Sequence, residues 1–409
     1  MQGLEYREPR KSLRKTIRNA KLLRPADLPD NFTRSLYKIA PYKGCAHGCR
    51  YCDGRAERYF VSGDFERDIE VRDSIPNRLA AELALVREYG MIAFGSGVTD
   101  PYQPLELENA ISGRCARILT ESTETLPALV MTKSSLVLRD LVLWKQVNER
   151  AGFILLVSLT SLDESLREMM EPGASSFAAR IEMIRQFKTA GCIVGVLAMP
   201  LLPGLSDCSD SIRTLFRACA EAGADFIMPG GLTLRPGRQK DFYLNVLARY
   251  KPDLLGKTTD LYRSGHPTGS PTFATKQSLR EKIFPIQQEI ALPYLLPHRL
   301  FARLLPPHDT LRILLRDMLE LYSERGIDIS ALVSSADAYD KWLLSLRRSF
   351  RHRRNLANAW LGERFLEAEK DGELATILAN RRLSNFVAST IREGARLNYR
   401  TLKLEQGIQ

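Results

Sequence analysis

The sequence predicts an α/β fold followed by a helical appendage. Three observations carry this: six short apolar runs that read as strands, amphipathic segments between them, and a last third rich in helix signals and poor in strand signals. The apolar runs lack clean alternation, the pattern expected when both faces of a sheet are covered. Successive strand–helix units with right-handed crossovers build a parallel sheet. Periodicity alone leaves open whether six units close as part of a barrel or lie flat as a doubly wound sheet.

Residues 1–35 are basic, lack clear strand character, and are expected to form an arm or short helix. LYKIAPY (36–42) reads as the first strand and leads into the loop GCAHGCRYCDGR. IPNRLAAELALVREYG (75–90) reads as a helix, with Pro76 near its start and Gly90 past its end. MIAFGSG (91–97) is a short buried strand. Helix 107–124, strand 128–133, helix 136–149, strand 153–159, helix 175–190, strand 192–199, helix 209–222 and strand 225–231 follow. The turn-rich RSGHPTGSPTF (263–273) reads as a linker. This divides the chain into an arm (1–35), an α/β region (36–270) and a helical C-terminal region (275–409) that carries the basic run RRSFRHRR (347–354).

With 409 residues, 44% of them hydrophobic, the chain holds more than one compact unit. No apolar run is long enough to cross a bilayer, and the N-terminus lacks the apolar core of a secretory signal. A soluble, cytoplasmic protein with no membrane partner is the expectation. Seven cysteines in so long a chain make no disulfide scaffold. Cys115, Cys192, Cys208 and Cys219 fall in helix or strand patterns and are expected to be buried structural thiols. A net charge of +11 permits an anionic partner, nucleic acid above all, without demanding one.

In parallel α/β folds the loops at the carboxyl ends of the strands converge and carry the chemistry. Polar residues fall at four consecutive strand ends. After the first comes the cysteine loop, after the second Thr99, Asp100, Tyr102, Gln103 and Glu106, after the third Lys133, and after the fourth Ser158 and Thr160. Cys45-x3-Cys49-x2-Cys52 places three thiols in one tight loop, with Gly44, Gly48 and Gly54 letting the backbone come close. Three ligands on a four-iron cluster leave one iron open. A structural zinc held with His47 is the competing reading, but a zinc ribbon uses a second cysteine pair and none exists.

The cysteine spacing, with Tyr51 before the third cysteine, resembles the signature of the radical S-adenosylmethionine superfamily. GVTDPYQPLE, TKSSLVLRD, MEPGASSFAARIEMIRQFKTAG, LAMPLLPGLSD and PGGLTLRPGRQKDFY resemble its spore photoproduct lyase-like branch, also called DNA repair photolyase-like, over roughly residues 35–270. The resemblance implies a partial (β/α)6 TIM-like barrel, a [4Fe-4S] cluster on Cys45, Cys49 and Cys52, and S-adenosylmethionine at the open iron. Reductive cleavage of that cofactor to a 5′-deoxyadenosyl radical is the implied chemistry, with a reductant such as flavodoxin or ferredoxin as partner. It also implies that Tyr51 lies near the adenine, Thr99 and Asp100 near methionine and ribose, Lys133 at the carboxylate, Ser158 at the ribose, and Arg180 within reach of the cofactor.

The chain departs from the lyase in two places. The lyase's hydrogen-returning cysteine corresponds to Gly95-Ser96-Gly97, and the tyrosine after its third cluster cysteine is replaced by Asp53. Tyr59 and Tyr102 are therefore the candidate hydrogen donors. Three readings follow: a radical enzyme on a nucleic acid or nucleotide, with Arg235, Arg238 and Lys240 as candidate contacts; the same chemistry on a small molecule or protein; and a non-catalytic, zinc-stabilised nucleic-acid-binding protein.

Overall fold

The computed structural model describes residues 13–14, 21–95 and 98–406. Six strands form the main sheet: β1 Ser35–Ile39, β2 Met91–Phe94, β3 Ala128–Thr132, β4 Phe153–Ser158, β5 Ile193–Leu201 and β6 Phe226–Gly231. They lie side by side in strictly sequential order, β1-β2-β3-β4-β5-β6. A doubly wound sheet reverses its strand order at a switch point. This one never reverses, so it winds in one direction as a partial (β/α)6 TIM-like barrel.

Burial explains the apolar runs. Every residue of β2 and β4 is buried, and β3 pairs parallel with β4 from Ala128↔Phe153 to Thr132↔Val157. The outer layer is keyed to the sheet by aromatic rings. Trp144, on helix Leu141–Arg150, stacks on Phe153 at 4.7 Å and meets Phe94 edge-on at 5.5 Å. Such pairs add about 0.5–1.5 kcal/mol beyond area burial.

Three helices depart from what local pattern alone predicts. The one beginning at Ile75 stops at Leu83, not near residue 90. The reason lies in tertiary contacts: Glu88 turns inward to pair with Arg347 at 3.1 Å and Arg351 at 2.7 Å, and its carbonyl accepts a hydrogen bond from the Tyr37 hydroxyl. The expected helix 107–124 is two pieces, Glu106–Asn109 and Ile111–Glu121, broken at left-handed Ala110. There the Glu106 carboxylate accepts from the backbone N–H of Ile111 (3.1 Å) and Ser112 (2.8 Å), capping the second piece. The expected helix 136–149 opens as a 3-10 turn, Ser135–Asp140, and becomes α-helical only at Leu141. In the N-terminal stretch, Leu13–Arg14 pairs with Glu70–Val71 as a short parallel strand. Edge pairing uses backbone groups alone and leaves no side-chain pattern to read.

The chain divides into two units. The first comprises Met1–Leu22, Lys38–Ala84 and Ala93–Tyr294. It includes helix Phe273–Ile290, whose Glu289 pairs at 3.0 Å with Arg213 and Arg217 of helix Ser209–Glu221. The second comprises Leu23–Tyr37, Leu85–Ile92 and Leu295–Gln409. It is helical and organised around buried ion pairs: Arg34 grips Asp317 with two bonds of 2.7 and 2.9 Å, and Arg347 grips Asp309 with bonds of 2.7 and 2.6 Å. No helix among the described residues is long and apolar enough to cross a membrane.

Candidate active site

Just after β1, Tyr42–Lys43 pairs antiparallel with Glu70–Val71, so the cysteine loop between them is closed at its base. Gly44 and Gly48 take φ of +86° and +61°, a region open to glycine, and a β-carbon at Gly44 would lie 3.0 Å from the Phe65 carbonyl. Four side chains then fix the loop's backbone. Arg55 donates to the carbonyls of Cys49 (3.0 Å) and Gly48 (3.1 Å) while pairing with Glu66 at 2.6 Å. Thr99 donates to the Gly44 carbonyl at 2.8 Å. Gln103 accepts from the Ala46 N–H at 2.8 Å and donates to Gly44 at 3.3 Å. Gln239, fully buried, donates to the Tyr51 carbonyl at 3.0 Å.

Cys45 and Cys49 are buried, Cys52 is half-buried, and none of the three is in a disulfide. Burial pushes each thiol up, Cys49 to about 12 against the pull of the Lys133 ammonium. The loop by itself therefore favours protonated sulfur, and thiolates there need a bound cation. Among the described residues, no three His, Cys, Asp or Glu side chains converge as the ligands of one metal ion must. His47 is engaged otherwise: Nδ1 lies 2.9 Å from the Gly173 carbonyl and Nε2 lies 3.2 Å from Asp100. That geometry speaks against the zinc reading.

Asp100 is the knot between β2, β3 and the cysteine loop. One oxygen accepts from the Tyr102 N–H (2.8 Å) and the Thr132 hydroxyl (2.7 Å), and the other from the Lys133 N–H (2.8 Å). Burial works to raise its carboxyl. His47 and these donors outweigh burial and hold it below the ordinary value. The Lys133 ammonium lies 5.8 Å from the Tyr51 ring centre and has no hydrogen-bond acceptor among the described residues. Burial alone would lower it, but Cys49 and Glu171 hold it above its ordinary value.

Glu171 lies in the MEPGASSF segment of the resemblance, but the sequence assigns it no site role. It is fully buried, accepts a hydrogen bond from the Tyr51 hydroxyl, and pairs with Arg180 at 2.5 Å. Arg180 also donates to the carbonyls of Ser175 (2.9 Å) and Ser158 (3.1 Å), so its guanidinium is occupied within the fold. The proline and glycine that follow Glu171 read as a turn, and nothing local marks the carboxylate as inward-facing. Ser158 is buried at the end of β4, and its hydroxyl makes no hydrogen bond among the described residues.

The two tyrosines differ. Tyr102 is fully buried; its hydroxyl donates to Asp140 at 2.9 Å and accepts from the Trp144 indole at 2.7 Å. Tyr59 is half-buried and donates to Asp53, which also holds Arg235 at 2.7 Å. Of the basic loop residues, Arg235 is thus paired, Arg238 lies 3.5 Å from Glu57, and Lys240 donates to the Tyr262 carbonyl. Of the stretch Gly95-Ser96-Gly97, the last two residues lie outside the described residues. Cys115, Cys192 and Cys219 are buried as expected, whereas Cys208 is exposed, because it stands at the start of helix Ser209–Glu221 rather than inside it.

A singly wound partial barrel with its polar side chains gathered at the strand ends defines a class, and comparison with known proteins gives that class its name. Residues 39–216 match the Radical SAM superfamily. The chain belongs to that superfamily and is a radical S-adenosylmethionine enzyme. It is 31% identical over 257 residues to an uncharacterised protein of Mycobacterium tuberculosis, covering 61% of this chain and 73% of that one. An uncharacterised protein of Methanocaldococcus jannaschii is 24% identical over 193 residues, covering 47% of this chain and 68% of that one. Among solved structures it is similar to spore photoproduct lyase complexed with dinucleoside spore photoproduct. That match has a TM-score of 0.51 and 16% identity, and covers 68% of this chain and 79% of the other. At that identity the likeness is one of fold.

Proposed function

We propose that Cys45, Cys49 and Cys52 hold a [4Fe-4S] cluster and that the chain uses S-adenosylmethionine to start radical chemistry on a nucleic-acid or nucleotide substrate. The observation that carries this is three cysteines outside any disulfide on one clamped loop, beside the half-buried Lys133 ammonium, which has no hydrogen-bond acceptor among the described residues. The donor set fits the group. Thiolates are what such clusters take. Bound here, the cluster and S-adenosylmethionine supply reductive cleavage of the sulfonium to a 5′-deoxyadenosyl radical.

The chain's own residues bind and orient. Lys133 is suited to the carboxylate of the methionine moiety, since an ammonium beside a carboxylate is a strong charge-assisted contact. Ser158 offers a hydroxyl for the ribose, and Tyr51, held by Glu171, a ring for the adenine. Thr99 and Asp100 contribute by fixing the loop and the β3 end. Tyr59 is the better placed hydrogen donor, because its hydroxyl lies on Asp53, next in sequence to Cys52. The electron comes from a small reductant such as flavodoxin or ferredoxin.

The nucleic-acid reading draws on the fold shared with a lyase solved with a dinucleoside photoproduct. A small-molecule substrate is favoured by one observation: residues 38–84 and 93–294 carry 30 Lys and Arg against 29 Asp and Glu, a near-neutral balance. The test of radical initiation is anaerobic reconstitution with iron and sulfide, reduction, and measurement of 5′-deoxyadenosine from added S-adenosylmethionine. Nucleoside from the parent and none from Cys49→Ala is the expected result. A protein that carries zinc, or that holds a cluster without cleaving the cofactor, overturns the proposal.

A further inference from the structure

Of the chain's net charge of +11, residues 1–37 carry +5, residues 38–84 and 93–294 carry +1, and residues 295–409 carry +5. Residues 295–409 carry 19 Lys and Arg against 14 Asp and Glu, and residues 341–362 carry six Lys and Arg with no acidic residue. Helix Ser330–His352 and the turn after it contain all six. The structure sorts these cations into two sets. Arg347 and Arg351 turn inward and are consumed by Asp309, Glu88 and Asp27. Lys341, Arg348, Arg353 and Arg354 are exposed and have no acidic partner among the described residues.

Lys341, Arg348 and His352 stand at i, i+7 and i+11, one exposed face of the helix running about 16 Å. Arg353 and Arg354 extend it past the helix end, where Arg87 fixes the backbone by donating to the carbonyls of Arg353 (3.3 Å) and Leu356 (2.9 Å). A negative helix C-terminus accounts for one or two cations, but its effect fades within a turn, and Lys341 lies three turns back. Between Val333 and Leu366 no large apolar side chain is exposed, so the stretch offers nothing to insert into a lipid layer. Arginine predominates over lysine, and its planar fork matches phosphate oxygens.

We propose that this face of the helical unit docks the phosphate backbone of a nucleic acid, positioning the substrate polymer independently of base sequence. It deepens the nucleic-acid reading of the barrel, on which its biological sense rests. It places the polyanion contact on the helical unit and not on the near-neutral barrel.

The test uses the full chain and a fluorescently labelled oligonucleotide, single-stranded and duplex, in a salt titration by anisotropy. Each phosphate contact contributes about −0.9 to the slope of log K against log salt on duplex DNA. The triple variant R348S/R353S/R354S should bind at least tenfold more weakly at low salt, with a slope shallower by about two to three. These side chains are exposed, so its thermal unfolding should match the parent's. Unchanged affinity and slope in a folded variant overturn the proposal. So does loss of binding to phosphatidylserine vesicles with oligonucleotide binding intact, which would make the face a membrane contact. Release of 5′-deoxyadenosine without nucleic acid is measured in parallel and should be equal in parent and variant. If neither makes it while the salt-dependent binding difference stands, the radical reading fails and the docking face survives.

Discussion

The central residues of this site act through what they lack. Lys133 has a place among Cys49, Glu171 and the Tyr51 ring but, among the described residues, no acceptor for its hydrogens. An ammonium so placed is poised for an anionic ligand. Lys133→Met should weaken S-adenosylmethionine binding by about ten- to a hundredfold, the loss of one charge-assisted bond of about 1.5–3 kcal/mol. Equilibrium binding to the reconstituted protein measures this, and an unchanged affinity would remove Lys133 from the cofactor site. Tyr59 and Tyr102 separate in the same way. The Tyr102 hydroxyl is spent on Asp140 and Trp144, whereas that of Tyr59 sits on Asp53. Once the substrate is known, Tyr59→Phe should leave 5′-deoxyadenosine formation intact, abolish most substrate conversion, and remove solvent deuterium from the product in D2O. Persistent deuterium incorporation would assign the donor elsewhere.

Among the elements, the helices of the second unit carry the clearest pH liability. His298, at the start of the short helix His298–Phe301, is buried, and its Nδ1 accepts the Leu397 N–H at 3.0 Å. Burial, reinforced by Arg396, lowers it from 6.5 to about 3, and burial lowers His308 to about 4. Both histidines are thus neutral in the folded chain. Below about pH 6.5 the unfolded chain binds protons that the folded chain refuses, so stability falls as pH drops toward 4. Each histidine adds up to about 1.4 kcal/mol per pH unit in that window. Denaturant unfolding at pH 7 and pH 5 should show a loss of a few kcal/mol, and His298→Gln should reduce the dependence. Equal losses in parent and variant would show that His298 does not carry it.

Taken as a whole, the molecule divides its labour by charge and by contact range. The sequence by itself determined the six strands, the helices between them and the cysteine loop, because each rests on local signals: apolar runs of strand length, helical periodicity, and ligand spacing within eight residues. It also brought Lys133, Asp100 and Ser158 to strand ends, since position along a strand predicts position in a parallel sheet. Only the tertiary structure decided which of these side chains were already occupied. The resemblance implies Arg180 as a cofactor contact, and in the fold its guanidinium pairs with Glu171, an acid that sits nine residues away in sequence and meets it only through packing. The helix from Ile75 ends early because Glu88 finds Arg347, some 260 residues on, and Arg55 and Gln239, though each lies in a segment the sequence singles out, clamp the cysteine loop through contacts that no local signal announces. Long-range pairing of buried polar groups is set by the fold's closure rather than by any window of sequence, since a charge buried without a partner costs more than local preference can supply.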